Sequence, residues 1–269
     1  MSELTVIRCS SLPAWNDCPR RIAAREMLRP EIEAAGYRLW PEKTGVGAAI
    51  GSAVDAGATL MLRAKSATYV VAIAEAVEHA IAEFRGGIAG GCEYDKSATP
   101  NAQIAEMQIS RMVEVYALQV LPKVEPESVQ RELTADVGGG FVLSGHWDVR
   151  EVSGRLRDTK TGQDVYPAGP QFGGYALLGL AHGLPVTAAV VDYIERVSLK
   201  KPQPAAVEIE YDVGQCIKEA ARTIKRIKQQ VNEWRQTKDI ESISSNPYSQ
   251  FCTNRMCPAR NTDFCRSWK

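Results

Sequence analysis

The sequence has no long apolar run and nowhere approaches the ~18 consecutive apolar residues that a membrane-spanning helix needs. Its first twenty residues also lack the continuous apolar stretch of a secretory signal. The 45% hydrophobic and 24% charged content is typical of a globular protein rather than a disordered chain, and 269 residues fit one elaborated α/β domain. We therefore expect a cytoplasmic, globular protein with no membrane partner.

The chain also has no excess of charge of either sign, since 32 Lys and Arg residues balance 32 Asp and Glu residues. A protein that attracts nucleic acid through its overall field would be strongly basic. Any affinity for DNA must therefore come from a local basic patch.

A disulfide framework is not expected, because the chain has an odd number of cysteines, seven. Three of them, Cys252, Cys257 and Cys265, are crowded into a tail that has almost no aliphatic residues for a core of its own. Thiolates at this spacing could bind a soft metal or an iron–sulfur cluster, but such centres usually need a fourth ligand from elsewhere. The alternative is a flexible tail with incidental cysteines. Cys92 and Cys216 are expected to be structural.

Glycine, proline and hydrophobic periodicity divide the chain into a mainly helical region (1–125), a strand-rich core (126–240) and a cysteine-rich tail (241–269). Helices are predicted at 11–28, 46–65, 68–84, 102–121 and 171–182, followed by a long amphipathic helix capped by Asp212 that would cover the sheet. Strands are predicted at 129–137, 141–152, 155–160, 186–194 and 205–213.

Two acids and a lysine meet on the hairpin of the second and third predicted strands. Asp158 and Lys160 are two residues apart, so they point to one face, where both can meet Asp148 of the preceding strand. Two carboxylates suit a hard cation such as Mg²⁺ or Mn²⁺, and the amine can act on a metal-bound water. That is the chemistry of phosphodiester hydrolysis. On spacing alone, an exposed hairpin with a surface salt bridge is the favoured interpretation.

The surrounding motifs resemble a known family. They are Gly145-x-x-Asp148, Asp158-x-Lys160 and Gln171-x-x-x-Tyr175. Together they resemble the PD-(D/E)XK nuclease superfamily, specifically its RecB-like branch, which implies an α/β core with a mixed central sheet flanked by helices. The resemblance implies that Asp148 and Asp158 bind the metal, that Lys160 supports the attacking water, and that Gln171 and Tyr175 contribute polar groups beside the scissile strand.

The same resemblance accounts for the cysteines. Some RecB-like nucleases, such as the AddB nuclease domain and the CRISPR-associated adaptation nucleases, carry an iron–sulfur cluster bound by one cysteine before the core and three after it. Here Cys18, followed by Pro-Arg-Arg, resembles the upstream ligand, and Cys252, Cys257 and Cys265 resemble the downstream three. The resemblance implies a [4Fe-4S] cluster. The downstream spacing, C-x4-C-x7-C, is longer than usual in the family, so Zn²⁺ is the lesser alternative. Cys9 competes with Cys18.

A second departure concerns Asp55, which stands four residues after Gly51, where the family commonly has a metal-binding histidine. An aspartate can bind a hard cation, so Asp55 is a candidate metal ligand. The substitution could instead mark a weakened or lost activity. Glu132 lies on the strand before the Gly145 motif and faces either the site or solvent.

The resemblance implies a metal-dependent DNA exonuclease acting on single-stranded DNA or duplex ends. Candidate DNA contacts are Arg20 and Arg21 beside the upstream cysteine, and Lys200 and Lys201 in the loop before the last strand. Partners implied are DNA and a helicase, a single-strand annealing protein or a CRISPR integrase, in recombination, repair, phage replication or CRISPR adaptation. The alternative function is a catalytically silent, DNA-binding or scaffolding relative.

Overall fold

The computed structural model describes residues 4–42 and 44–265. Its helices are α1 (Leu12–Asp17), α2 (Pro19–Ile22), α3 (Arg29–Ala34), α4 (Val46–Ser66), α5 (Ile73–Gly87), α6 (Ala102–Val115), α7 (Gly169–Ala181) and α8 (Val213–Thr237). Its strands are β1 (Thr5–Arg8), β2 (Pro126–Gly138), β3 (Phe141–Glu151), β4 (Arg155–Gly162), β5 (Ala188–Glu195) and β6 (Val207–Tyr211). In this part of the chain, no helix is both long and apolar enough to cross a membrane.

Most elements lie where the sequence predicts them, but the short helix α3 follows the predicted 11–28 segment, and three further differences are present. The strand β1 was not predicted. Helix α5 begins at Ile73 instead of residue 68, because Thr68 has a φ of 61° and the following residues are not helical. Helix α6 ends at Val115, and a π-helical turn (Tyr116–Val120) and a 3-10 turn (Leu121–Lys123) continue it to the strands.

The strands form one mixed sheet with the order β1, β3, β4, β5, β6, and β2 pairs with the other edge of β3. The pairs β1–β3 and β4–β5 are parallel, whereas β2–β3, β3–β4 and β5–β6 are antiparallel. Helices cover both faces. The expected α/β fold with a mixed sheet flanked by helices is therefore confirmed.

One edge of β3 is shared by two strands. β1 pairs with residues 141–144, whereas β4 pairs only with Val149 and Arg150. After Arg157, β4 leaves β3 and continues along β5. Residues 145–148 of β3 therefore lie at a gap between β1 and β4, which we call the strand fork.

Both β2 and β3 are distorted at the fork. Residues two apart on a regular strand share a face, yet Trp147 packs in one hydrophobic core and Val149 in the other. Opposite this break, Gln130 of β2 has a φ of 52°, in the left-handed region that non-glycine residues seldom adopt. The break leaves Asp148 beside Asp158, one position before the Val149–Arg157 pair.

Two hydrophobic cores fill the two sides of the sheet. One joins the sheet to α7, α8, the N-terminal helices and the tail, and the other joins it to α4, α5 and α6. The prediction that α8 covers the sheet is corrected, because α8 packs mainly on α7. Their approach is close: a β-carbon on Gly173 would lie 1.9 Å from the carbonyl oxygen of Cys216. Any other residue at position 173 would push the helices apart.

The tail, which the structure describes from residue 241 to residue 265, has little regular structure and is held by the beginning of the chain. The Arg20 amide donates to the carbonyl of Ser244 at 3.0 Å. The ring of Phe264 is fully buried and packs against Tyr37 and Trp234 at centroid distances of 5.4 and 5.5 Å. Both ends of the chain therefore belong to the same core.

Candidate functional site

The two acids of the predicted motif meet at the strand fork. Asp148 is near the end of β3, and Asp158 lies opposite it in the register of β4. Because β4 turns away from β3 at this point, the amide of Thr159 has no strand partner on β3 and donates to Asp148 Oδ2 at 3.0 Å instead. Asp158 is buried. The fork thus holds two carboxylates side by side on rigid strands.

Lys160 and Gln171 both contact Asp158, one at each carboxylate oxygen. The Nζ atom of Lys160 lies 2.6 Å from Asp158 Oδ2, as expected for residues two apart on one strand. The Nε2 atom of Gln171, in the first turns of α7, donates to Asp158 Oδ1 at 3.0 Å. The structure therefore places Lys160 and Gln171 at opposite oxygens of Asp158.

Tyr175 continues this network toward β3. Gln171 Nε2 lies 2.9 Å from the Tyr175 hydroxyl, which donates to the carbonyl of His146 at 2.8 Å. This requires α7 to lie close to β3, and Gly145 permits it. A β-carbon at Gly145 would lie 2.6 Å from a methyl group of Leu178 and 2.9 Å from the Tyr175 ring. The glycine of the motif therefore lets the Gln171–Tyr175 pair reach the fork.

Asp55 approaches from the opposite face of the sheet, on α4. Gln130 Nε2 donates to both of its carboxylate oxygens, at 3.2 and 3.3 Å, and lies 3.0 Å from Thr59 Oγ1. Gln130 is a residue of the candidate site that sequence reasoning missed. A lone glutamine on a strand carries no motif, and only its left-handed backbone conformation reveals that it is held in place.

The acids at the fork disturb each other's ionisation. Burial, together with the charges of Asp158 and Asp55, raises the pKa of Asp148 well above its usual range. Burial and Asp158 likewise raise the pKa of Asp55. Burial alone would lower the pKa of Lys160, but the charges of Asp158 and Asp148 outweigh it and raise that pKa. A single ammonium thus faces three carboxylates, a donor set that suits a divalent cation.

Asp148, Asp158 and Lys160 line an open cavity of about 530 Å³ at the fork, whereas Asp55 lies outside its lining. The end of β1 contributes Arg8 to its lining, and β2 contributes Glu132, so the position of Glu132 that the sequence left open is at the site. Arg8 was missed because β1 was not predicted. In residues 4–42 and 44–265, no three His, Cys, Asp or Glu side chains are already arranged to hold a metal ion. The carboxylates are thus neighbours that do not yet form a coordination sphere.

The four predicted cysteine ligands surround one small cavity. Cys18, Cys252, Cys257 and Cys265 line it together with Asn246 and other tail residues. The Asn246 amide lies 3.4 Å from Cys18 Sγ, toward which it donates. Burial raises the pKa of the Cys257 thiol to about 11, with smaller contributions from Cys18 and Cys265. A bound metal would reverse this preference for the thiol, because cysteine binds metals as the thiolate.

The other cysteines lie elsewhere. Cys9, the competitor of Cys18, is fully buried between β3 and α7, where a β-carbon on Gly174 would lie 2.7 Å from its sulfur. Cys216 is buried on α8, and Cys92 is half-buried in the loop before α6. The structure therefore brings Cys18, and not Cys9, to the tail.

Arg20 and Arg21 do not stand where DNA could contact them. Arg20 is 2% exposed and donates to the carbonyls of Ile240 and Ile243 at 2.8 and 2.9 Å. Arg21 is 5% exposed, and its guanidinium lies 4.7 Å above the ring of Phe251. These two predicted DNA contacts are corrected: both arginines attach the tail to the N-terminal helices.

Lys200 and Lys201 are exposed in the loop after β5, as expected of DNA contacts. The carbonyl of Lys201 accepts a hydrogen bond from Arg111 at 3.2 Å, which ties the loop to α6. Their role in DNA binding stays a prediction.

Comparison with known proteins agrees with this geometry. A model of the PD-(D/E)XK nuclease superfamily matches residues 9–265, while no curated protein gives a significant match. A crystal structure from Eubacterium rectale, described as a "putative exonuclease", is similar over 92% of this chain and 87% of its own, with a TM-score of 0.55 and 10% identity. The crystal structure of SSO0001 matches over 84% and 77% at 13% identity, with a TM-score of 0.34. Since the family model spans nearly all of the sequence, the chain belongs to the PD-(D/E)XK nuclease superfamily.

Proposed function

We propose that this nuclease is a metal-dependent DNA exonuclease of the RecB-like branch. The observation that carries the proposal is the convergence of Asp148, Asp158, Lys160 and Gln171 in one open cavity at the strand fork. The acids lie on neighbouring strands of the sheet, at the point where β4 separates from β3. Single-stranded DNA and duplex ends are the proposed substrates.

In this proposal Asp55, Asp148 and Asp158 hold Mg²⁺ or Mn²⁺. When bound, the ion supplies charge that stabilises the pentavalent phosphorus and lowers the pKa of the attacking water. Lys160 orients that water from the position that its ammonium has beside Asp158 Oδ2. Gln171 keeps Asp158 Oδ1 in place through its amide. Tyr175 in turn keeps Gln171 in place by accepting from its amide while donating to the carbonyl of His146.

The second proposed centre is the cluster of Cys18, Cys252, Cys257 and Cys265. We assign it a [4Fe-4S] cluster, with Zn²⁺ as the lesser alternative, and a structural role. Four sulfurs around one cavity support this assignment, as does the amide that points at Cys18 Sγ. The centre would join the N-terminal helices to a tail that has little regular structure of its own.

A second candidate function is a catalytically silent, DNA-binding relative that serves a helicase, a single-strand annealing protein or a CRISPR integrase. The observation that favours it is Asp55, which stands where the family commonly has histidine and is already hydrogen-bonded to Gln130. The intact Asp148, Asp158 and Lys160 favour the enzyme.

The deciding experiment is a cleavage assay with Mg²⁺ and with Mn²⁺ on linear single-stranded, linear double-stranded and circular DNA. The proposal expects both ions to support degradation of linear DNA and circular DNA to survive. Asp158→Asn should be inactive, whereas Glu114→Gln, the same carboxylate-to-amide change on an exposed face of α6, should cut normally. Failure of the wild-type protein to cut any linear DNA would favour the silent relative. Equal cutting of circular DNA would make the enzyme an endonuclease.

A further inference from the structure

A second cavity of about 540 Å³ is lined by the start of α4, and we call it the α4 cleft. It is bounded by the first turn of α4, the end of β4 and the tail, and its lining includes Gly47, Thr161, Tyr166, Arg196 and Arg255. Thr161 directly follows the proposed catalytic Lys160 on β4, and the two side chains point to opposite faces of the sheet. Nothing in the proposed metal site uses the cleft.

Arg196, which follows the last residue of β5, is the unusual group in this cleft. Its side chain is nine-tenths buried, with 8% of the residue exposed. Its Nη1 donates to Thr99 Oγ1, whereas its Nε has no hydrogen-bond partner. Among the residues that the structure describes, no carboxylate lies within 4.0 Å of its guanidinium. A buried guanidinium without an anion is costly, which is why such groups are normally paired.

The other cations of the cleft lie next to acids. Arg255 lies 3.4 Å from Glu93, and Arg25 lies 3.8 Å from Glu42. Asp95 accepts hydrogen bonds from the amide and hydroxyl of Ser97 at 3.0 and 2.6 Å, and its charge acts on Arg196 without a direct ion pair. Among the described residues of the cleft, Arg196 is therefore the cation with no acid in direct contact, and it can bind an external anion.

The first turn of α4 faces the same point. It begins at Gly45 without a side-chain cap and carries no acid, and of its first amides that of Val46 donates to the carbonyl of Glu93 at 2.9 Å. Nη2 of Arg196 would lie 3.5 Å from a β-carbon placed on Gly47. The guanidinium and the start of a 21-residue helix thus converge on one position.

The position is also suited to a nucleic acid strand. Gly47 and Asp55 are eight residues apart on α4, which corresponds to roughly 12 Å along the helix. One DNA strand can therefore place a phosphate in the cleft while another phosphate lies at the carboxylates. Tyr166 is half-exposed at the cleft and packs against Phe251 at 5.4 Å, which leaves a ring face on which a base can stack.

We propose that the α4 cleft binds a phosphate group of the DNA substrate, held by Arg196 and the first turn of α4. This inference rests on the proposed function, because it supplies the strand-binding part of the same site. It adds a positioning group, Arg196, that no motif of the family resemblance contains.

The sharpest test introduces an acidic side chain into the cleft, where it would occupy the proposed position of the phosphate. Gly47→Asp has room beside Arg196 and adds a carboxylate to the first helical turn, so its unfolding temperature should rise. Its affinity for a labelled 20-nucleotide single strand, measured in Ca²⁺ by fluorescence anisotropy, should nevertheless fall about tenfold relative to Gly47→Asn. Gly47→Asn has the same shape without the charge, so it is the matched control for crowding. Equal affinities of the two variants would overturn the proposal.

The complementary variant is Arg196→Gln, with Arg155→Gln as its control. Arg155 begins β4 at the end of the strand away from the cleft and pairs with Glu210. Arg196→Gln should weaken binding, and the slope of log K against log salt should become shallower by about 0.7, the value for one phosphate contact on a single strand. A loss of binding with an unchanged slope would mean that Arg196 is only structural, and would overturn the proposal. Arg155→Gln should leave both the affinity for DNA and the slope of log K against log salt unchanged.

Binding in Ca²⁺ separates this inference from the proposed function. If the wild-type protein binds DNA and the Gly47 and Arg196 variants bind equally well, only the inference fails. If the wild-type protein does not bind DNA, the proposed function fails with it. Oligonucleotides with a 5′-phosphate and with a 5′-hydroxyl then distinguish the two sources of the anion. If Arg196→Gln weakens the binding of both oligonucleotides equally, the cleft binds an internal phosphodiester. If it weakens only the binding of the 5′-phosphorylated oligonucleotide, the cleft binds the terminal phosphate.

Discussion

The fork and the cysteine cluster both join residues from distant parts of the chain, but they do so by opposite means. At the fork, the acids lie on strands and helices that are held by two hydrophobic cores, and the charges are crowded because the backbone keeps them there. At the cluster, three of the four cysteines lie in a tail with little regular structure, and Cys18 lies between α1 and α2 on the same cavity. A metal at the fork would therefore bind acids that the fold already brings close together. A metal at the cluster would help to form the structure that holds it.

The largest effect that separates the two regions is on catalysis. Asp158→Asn should lower the cleavage rate by about a thousandfold or more, because one metal ligand loses its charge. Lys160→Ala should be similarly inactive yet bind Mn²⁺ at least as tightly as the wild-type protein, since the ammonium 2.6 Å from Asp158 Oδ2 competes with the ion. Calorimetric titration of Mn²⁺ into both variants checks this division of roles. Equal weakening of Mn²⁺ binding in both would refute it.

The next largest effect is a loss of stability when a cysteine of the cluster is replaced. Cys18→Ser or Cys257→Ser should lose the bound metal and reduce the free energy of unfolding by about 3 kcal/mol or more. Residues 246–262 should become sensitive to protease, while the fully buried Phe264 still anchors the end of the tail. Metal analysis, thermal unfolding and limited proteolysis measure the three quantities. Cys92→Ser is the control, and a similar loss in that variant would argue against a specific centre.

A smaller effect on stability is expected at the fork, where a substitution should stabilise the metal-free protein instead of destabilising it. Because the pKa of Asp148 is raised in the folded protein, the metal-free protein should lose stability as the pH rises from about 4, the usual carboxyl pKa, toward the raised value. Asp148→Asn removes this penalty while its side-chain oxygen can still accept from Thr159. At pH 8 without divalent cations the variant should be more stable by about 1 kcal/mol, and the gain should disappear near pH 4. Thermal unfolding across pH measures it, and a gain independent of pH would contradict this explanation.

The smallest effect concerns Gln130. Gln130→Gly relieves the left-handed backbone conformation but removes the amide from Asp55. The unfolding temperature should change little, whereas the Mg²⁺ concentration for half-maximal cleavage should rise about threefold to tenfold as Asp55 loses its orientation. The Asp55→Ala variant shows how much of the rise in Mg²⁺ requirement is due to the altered orientation of Asp55. If Gln130→Gly raises the Mg²⁺ requirement even in the Asp55→Ala background, Gln130 acts by another route.

The sequence predicted the regular parts of the fork well, because the hairpin and the first turns of α7 follow local spacing rules. Alternation along β4 was enough to place Asp158 and Lys160 together. What it could not predict was non-local. β1 is four residues long, and its pairing with β3 is a tertiary contact. Gln130 has no sequence signature for a left-handed conformation. The burial of Arg20 and Arg21 depends on carbonyls of the tail more than two hundred residues away.

The pairing of the two chain ends has a consequence for how the protein reaches its native state. The contact between Asn246 and Cys18 spans 228 residues, and that between Arg20 and Ile243 spans 223. Contacts between such distant residues form slowly and late, since a very long loop must close first. During synthesis, the N-terminal helices can make these contacts only after the segment from Ile243 to Cys265 has left the ribosome. The four cysteines would become neighbours only then, so the proposed metal centre would form after that segment is made.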